Sequence, residues 1–139
     1  MKGYEIFSTT ADVGIKIRGK TYEMLYQNAI KGFFLLVSGQ GIQTLSDHAS
    51  SDYPFDFRGD SCENVLVNLL SEIIFLLYSR DCITTGIAIK IAEEMVLQAD
   101  LIIQPLQNPL EMEIKSVTYH NLQVKECRGV KSAAIIFDI

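Results

Sequence analysis

The sequence contains few of the residues on which zinc sites, disulfide frameworks and histidine-based catalysis depend. Its 139 residues include only three cysteines, Cys62, Cys82 and Cys127, and two histidines, His48 and His120. The cysteines are far apart and form no C-x-x-C pair, which fits neither a thiolate zinc site nor a disulfide framework. We therefore expect three buried thiols in a reducing compartment.

Motifs of common enzyme classes are also missing. The sequence has no G-x-x-x-x-G-K-[ST] phosphate loop, no dinucleotide fingerprint and no H-E-x-x-H zinc pair. Neither His48, in a polar segment, nor His120, at the end of a predicted strand, accompanies a nucleophile motif. We predict no catalytic residue, and we expect a protein that acts on a partner rather than an enzyme.

Positive charge is scarce. Twelve Lys and Arg against seventeen Asp and Glu give a formal charge of −5 and a pI near 4.9. Strong direct binding of nucleic acid is not expected, because such binding needs clustered Lys and Arg. The first residues are polar and lead into an alternating pattern, so we expect neither a signal peptide nor a membrane span, and a cytoplasmic protein.

The hydrophobic content, 48%, is sufficient for one core, and we expect a single domain over residues 1–139. Period-two patterns predict strands around Tyr4–Ile6, Val13–Ile17 and Tyr53–Phe57, and from Ile83 to the end of the chain. Helical spacing predicts one helix after Thr21 ending near Gly39, and a second after Asp60, where Glu63 would complete a capping box. The fold class is α+β, with two helices packed on a mostly antiparallel sheet.

Carboxylates occupy special positions in this plan. Asp12 lies in the turn between the first two strands, Asp138 is next to the end, and Ile139 carries the α-carboxylate. If the last strand pairs beside the first hairpin, these groups converge, and their repulsion favours a divalent cation such as calcium or magnesium. The alternative is that Asp12 accepts turn amides and that Asp138 frays at the terminus.

The segment from Glu111 to His120 changes its apolar phase between Ile114 and Val117. A β-bulge near Lys115 and Ser116 explains the change, and so does a strand buried on both faces. Lys115 is either an ordinary solvated lysine or a cation that meets an anionic partner group.

Three of these pieces together resemble one known family. They are Thr10-Ala11-Asp12-Val13-Gly14-Ile15, Glu113-Ile114-Lys115-Ser116-Val117-Thr118-Tyr119-His120 and the terminal Phe137-Asp138-Ile139. In their order along the chain they resemble the archease family.

The resemblance implies a small α/β protein that is a cofactor of the GTP-dependent RNA-splicing ligase, promoting its guanylylation and repeated turnover in tRNA splicing or RNA repair. It implies a metal site, read as calcium, at Asp12, Asp138 and Ile139, and an important lysine at Lys115. One position departs from the pattern: family members often carry a histidine directly before the T-A-D turn, where this chain has Thr9.

Two other function classes compete with the ligase cofactor. A metal-dependent hydrolase using the same carboxylates would turn over nucleotides or phosphoesters by itself. A general chaperone or adaptor for RNA-modifying proteins would bind partners other than the ligase.

Overall fold

The structure is a computed structural model that describes residues 2–41 and 50–139. Helices and strands follow in the order β1 (Tyr4–Ser8), β2 (Val13–Gly19), α1 (Tyr22–Ser38), β3 (Ser51–Arg58), α2 (Cys62–Ser79), β4 (Cys82–Ala92), β5 (Val96–Pro105), β6 (Ser116–Val117), β7 (Lys125–Cys127) and β8 (Val130–Asp138). This arrangement confirms the α+β class with two helices and antiparallel strands.

The strands form two sheets rather than one. A five-stranded sheet has the order β1-β2-β8-β6, and β7 also pairs with β8. A three-stranded sheet has the order β3-β5-β4. Every strand pair is antiparallel. The first and last strands of the chain, β1–β2 and β8, therefore belong to the same sheet.

Helix α1 begins and ends where the sequence predicts. The Thr21 side chain accepts a hydrogen bond from the Met24 amide, and Gly39 closes the helix in the left-handed conformation with φ of 77°. Leu25, Ala29 and the neighbouring apolar side chains are buried. Since α1 contacts both β2 and β4, it joins the two sheets through one hydrophobic core.

Helix α2 does not begin with the predicted capping box. Ser61 is the N-cap and accepts from the Asn64 amide at 3.1 Å, so Asn64 occupies the third helical position that a capping glutamate would need. Glu63 occupies the second helical position, one residue before the position that a capping box requires. Its Oε2 instead accepts the Val124 amide at 2.8 Å and ties a later loop to the start of α2.

Helix α2 is the more apolar of the two helices. Its 18 residues have a mean hydropathy of 1.4, so by length and composition alone the helix could cross a membrane. Leu66, Leu69 and Leu70 are fully buried in the protein core, which accounts for this composition without a membrane.

The segment around Lys115 follows neither of the two predicted forms. Only Ser116–Val117 forms a strand, and residues 111–115 lie outside any strand. The apolar phase changes because buried Ile114 belongs to irregular chain, its amide donating to the Tyr78 hydroxyl at 2.8 Å. The irregularities of pairing that the structure does describe lie between β4 and β5, at Thr84/Gly86 and Ile89/Ile91.

The predicted exposed connection before β3 is only partly described. Ser51 and Asp52 already belong to β3. Residues 42–49, which include His48, lie outside the described residues.

The cysteines are free but not uniformly buried. Cys62 is buried, Cys82 is partly buried, and Cys127 is exposed. The prediction of three buried thiols was wrong for Cys127 because this residue ends β7, directly before a turn. Arg128 and Gly129 form that turn with φ of 53° and 79°.

Alkaline pH is expected to destabilise the protein through Cys62. Burial disfavours the thiolate and raises the pKa of Cys62 from 9.0 to about 11. The unfolded chain loses this proton first, so the stabilisation is complete below pH 9 and is lost as the pH rises to about 11. Urea unfolding at pH 7, 9 and 11 measures it.

The matched variants are Cys62→Ala and Cys127→Ala. The Cys127 variant is expected to keep the alkaline loss in the free energy of unfolding, whereas the Cys62 variant shows a smaller loss. Equal losses in the two variants would contradict the assignment to Cys62.

Candidate functional site

The pairing of β2 with β8 brings Asp12 and Asp138 to one end of the five-stranded sheet. Val13 pairs with Phe137, and both side chains are in the core, each 3% exposed. Asp12 precedes Val13 and Asp138 follows Phe137, so the register continued by one residue sets the aspartates opposite each other. Because side chains alternate along a strand, both aspartates belong to the face directed away from the core.

Thr9 shapes the turn that carries Asp12. Its Oγ1 accepts the amides of Asp12 at 3.0 Å and Ala11 at 3.3 Å. The Thr9 amide also donates to the Asp12 carbonyl at 2.8 Å. Thr9 therefore holds the backbone of Asp12 through both its hydroxyl and its amide.

Asp138 is held from the opposite edge of β8. It pairs with Ser116 of β6, whose hydroxyl donates to Asp138 Oδ2 at 3.1 Å. The Lys115 amide donates to the Asp138 carbonyl at 2.8 Å. Both the backbone and the side chain of Asp138 thus have partners, which argues against the alternative that it frays at the terminus.

The Lys115 side chain is exposed beside this end of the sheet. Its backbone is fixed between buried Ile114 and the carbonyl of Asp138. Within residues 2–41 and 50–139, Lys115 Nζ forms no ion pair or hydrogen bond. The structure thus fixes the Lys115 backbone beside Asp138 and leaves its ammonium group available to another molecule.

The donor set suits a hard divalent cation. In the described part of the chain neither Asp12 nor Asp138 forms an ion pair, so their negative charge is not compensated there. Oxygen donors of this kind are those that calcium and magnesium take. Among the described residues no three His, Cys, Asp or Glu side chains form a metal-binding group. Ile139 is exposed and follows Asp138 directly.

His120 lies away from this end of the sheet. Antiparallel pairing carries the chain after Val117 along β8 in the direction away from Asp138. His120 is exposed, its amide donating to Thr118 Oγ1 at 3.2 Å and its Nε2 lying 3.4 Å from Asn121 Nδ2. The structure gives it no place beside Asp12.

Ser116 and Tyr78 are the contributors that sequence reasoning missed. Ser116 orients the Asp138 carboxylate, and Tyr78 anchors the chain before Lys115. A serine directly after a lysine in an alternating segment gave a weak signal for Ser116. Nothing local in the sequence of α2 pointed to Tyr78.

Comparison with known proteins settles the family. The model of the archease protein family matches residues 4–139. The chain belongs to the archease family. A protein archease from Thermoplasma volcanium is 30% identical over 140 residues, covering 98% of each chain. One from Methanosarcina mazei is 27% identical, covering 99% of this chain and 97% of the relative.

Two solved structures share the fold. The solution structure of protein 1598 from Methanobacterium thermoautotrophicum has a TM-score of 0.74 at 22% identity, with all of both chains covered. A crystal structure from Thermotoga maritima, described as an archease and possible chaperone, has a TM-score of 0.69 at 20% identity. That match covers 97% of this chain and 96% of the other.

Replacing Thr9 by valine is expected to loosen the Asp12 turn. Valine keeps the shape but removes the acceptor of two amides, at a cost of about 1 kcal/mol. Amide hydrogen exchange measured by NMR should become faster at Ala11 and Asp12. The control is Thr10→Val in the same turn, where the threonine side chain has no described hydrogen bond. Equal acceleration in both variants would contradict the assigned role.

Proposed function

We propose that the protein is a non-catalytic, metal-binding cofactor of the GTP-dependent RNA-splicing ligase, the enzyme that joins 2′,3′-cyclic phosphate ends to 5′-hydroxyl ends. It promotes guanylylation of the ligase and multiple-turnover ligation in tRNA splicing or RNA repair, and it acts in the cytoplasm. The observation that carries the proposal is the placement of Asp12, Asp138 and Lys115 at one end of the sheet, with no described ion pair among them. Membership of the archease family supports it.

The proposed cation is calcium, with magnesium as the alternative, held by Asp12, Asp138 and the α-carboxylate of Ile139. When bound, it supplies positive charge that organises phosphate oxygens. The chain's own contribution is to position donors: Thr9 holds Asp12, Ser116 orients Asp138, and Lys115 presents a second cation. Such preorganised charge lowers a barrier without taking part in bond making.

Two forms of activation are open to this surface. In the electrostatic form, it arranges charges at the nucleotide site of the ligase. In the conformational form, docking favours the ligase state that accepts GTP, and the cation stiffens the docking surface. The electrostatic form predicts that loss of Asp12 stops guanylylation while docking persists, whereas the conformational form predicts weaker docking.

A second candidate function is a general chaperone or adaptor for RNA-modifying proteins. The description of the Thermotoga maritima structure as a possible chaperone favours it. Affinity capture from the native organism discriminates the two, since a general adaptor would retain RNA-modifying proteins without the ligase.

Calcium is expected to stabilise the protein, and Asp138→Asn to abolish this effect. A ligand at about 100 times its Kd adds about 2.7 kcal/mol to the free energy of unfolding if it binds only the folded state. Thermal unfolding with calcium and then with excess chelator measures the gain and its reversal. Asp52→Asn, at an exposed position of β3, is the matched control and should keep the full gain. A calcium gain that survives in Asp138→Asn would overturn the ligand set.

Asp12→Asn is expected to abolish multiple-turnover ligation. The substitution keeps the side-chain shape but removes one charge of the proposed metal site. The ligase of the same organism, GTP and cleaved RNA are mixed with substoichiometric wild-type chain, Asp12→Asn or Asp52→Asn. Wild type and Asp52→Asn should drive many turnovers, and Asp12→Asn about one. Unchanged turnover by the ligase with every chain would sink the cofactor function.

A further inference from the structure

The outer face of the five-stranded sheet carries a basic groove although the chain is acidic overall. The outer face is defined here by the solvent-directed residues of β2 and β8 and their neighbours on β1 and β7. The groove has a volume of about 330 Å³, and the charged residues in its lining are Lys2, Glu5, Lys16, Arg18 and Lys125. Four of these residues are cationic, and Glu5 is the one acidic residue among them.

Strand pairing explains why the cations meet. Arg18 of β2 pairs with Ser132 of β8, which pairs on its other side with Lys125 of β7. Lys16 lies one outward position further along β2, opposite Ala134. The small side chains of Ser132 and Ala134 thus form a low floor between longer cationic side chains.

Three of the four cations are available to a ligand. Lys2, Lys16 and Lys125 form no ion pair or hydrogen bond within the described residues. Two other lysines differ: Lys131 is paired with Glu126 at 3.0 Å and Lys90 with Asp100 at 3.6 Å. These three lysines attract an anion without first having to release a carboxylate.

An aromatic ring lies beside the groove, toward the aspartates. Phe7 covers Gly14 of β2, where an added Cβ would lie 2.6 Å from Phe7 Cζ and 2.2 Å from the Ile135 carbonyl oxygen. Lys16 Nζ lies 5.7 Å from the centre of the Phe7 ring. The ring is half-buried, so part of it stays open to stacking.

The remaining polar groups suit nucleobases better than they suit an acidic peptide. The side-chain amides of Asn121 and Gln123 line the groove and can both donate to and accept from base edges. Cations beside an aromatic ring are the arrangement with which proteins hold single-stranded nucleic acid. An acidic peptide would use the cations alone.

We propose that the basic groove binds the phosphates of single-stranded RNA, with a base stacked on Phe7. Lys2, Lys16 and Lys125 contact phosphates, and Asn121 and Gln123 contact a base. The choice of RNA over DNA rests on the proposed function, whereas the assignment of the groove as an anion-binding site does not. Because the net charge is −5, the binding is weak and confined to this face.

The test uses the isolated chain, so it is independent of ligase activation. A fluorescently labelled single-stranded RNA is titrated with protein by anisotropy at 50 and 200 mM salt. Three phosphate contacts predict affinity about 20-fold weaker at the higher salt, and a single contact about threefold. The variant Lys16→Gln/Lys125→Gln should therefore bind more weakly at low salt and show the smaller salt effect.

The control is Lys31→Gln, which removes one positive charge from an exposed position of α1, away from the groove. It should bind RNA as the wild type does. A further variant, Phe7→Leu, should weaken binding without changing the salt dependence, because stacking is not ionic. Circular dichroism of each variant establishes that it is folded.

Four results would overturn the proposal. They are no binding by the wild type at 50 mM salt, binding unchanged in Lys16→Gln/Lys125→Gln, an equal loss in Lys31→Gln, and equally tight binding of poly-glutamate. Competition by free GTP distinguishes a nucleotide from an RNA strand. If GTP displaces RNA at equal nucleotide concentration, the ligand is a free nucleotide, and the proposal of an RNA strand is overturned.

Discussion

The antiparallel pairing of β2 with β8 is the constraint on which the candidate site depends. It joins an early strand of the chain to the last one through the register from Val13–Phe137 to Gly19–Lys131. Its inward side chains, Ile15 and Ile135 among them, are fully buried. A slip of one residue would turn these side chains to solvent and the aspartates toward the core. Burial of these hydrophobic side chains therefore holds the two carboxylates in alignment even though their charges repel each other.

Periodicity in the sequence was sufficient for both helices, for the longer strands and for one part of the candidate site. Alternation predicted the hairpin of β1 and β2 and the strand β8, and helical spacing predicted α1 with its cap at Thr21. Asp12 and Asp138 followed from their places beside those strands. These features could be predicted because each depends on neighbours in the sequence.

The remaining features depend on contacts between distant residues, and local patterns do not encode them. The division into two sheets depends on strand partners that only the folded chain defines. The bond from Ser116 to Asp138 joins residues 22 positions apart, and Glu63 reaches Val124 across 61 positions. Formal charge likewise carries no positional information, because it averages over the whole surface and does not show that cations gather on one face.

The anchoring of the segment from Ile114 to Val124 has a mechanical consequence. Tyr78 binds the Ile114 amide, Asn64 donates to the Tyr119 hydroxyl at 2.7 Å, and Glu63 binds the Val124 amide. All three anchors belong to α2, so this segment is fastened along the length of that helix. The same segment also pairs with β8 at Ser116 and Asp138, so it links α2 to the strand that carries the carboxylate. The positions of Lys115 and Ser116 are therefore set jointly by α2 and β8.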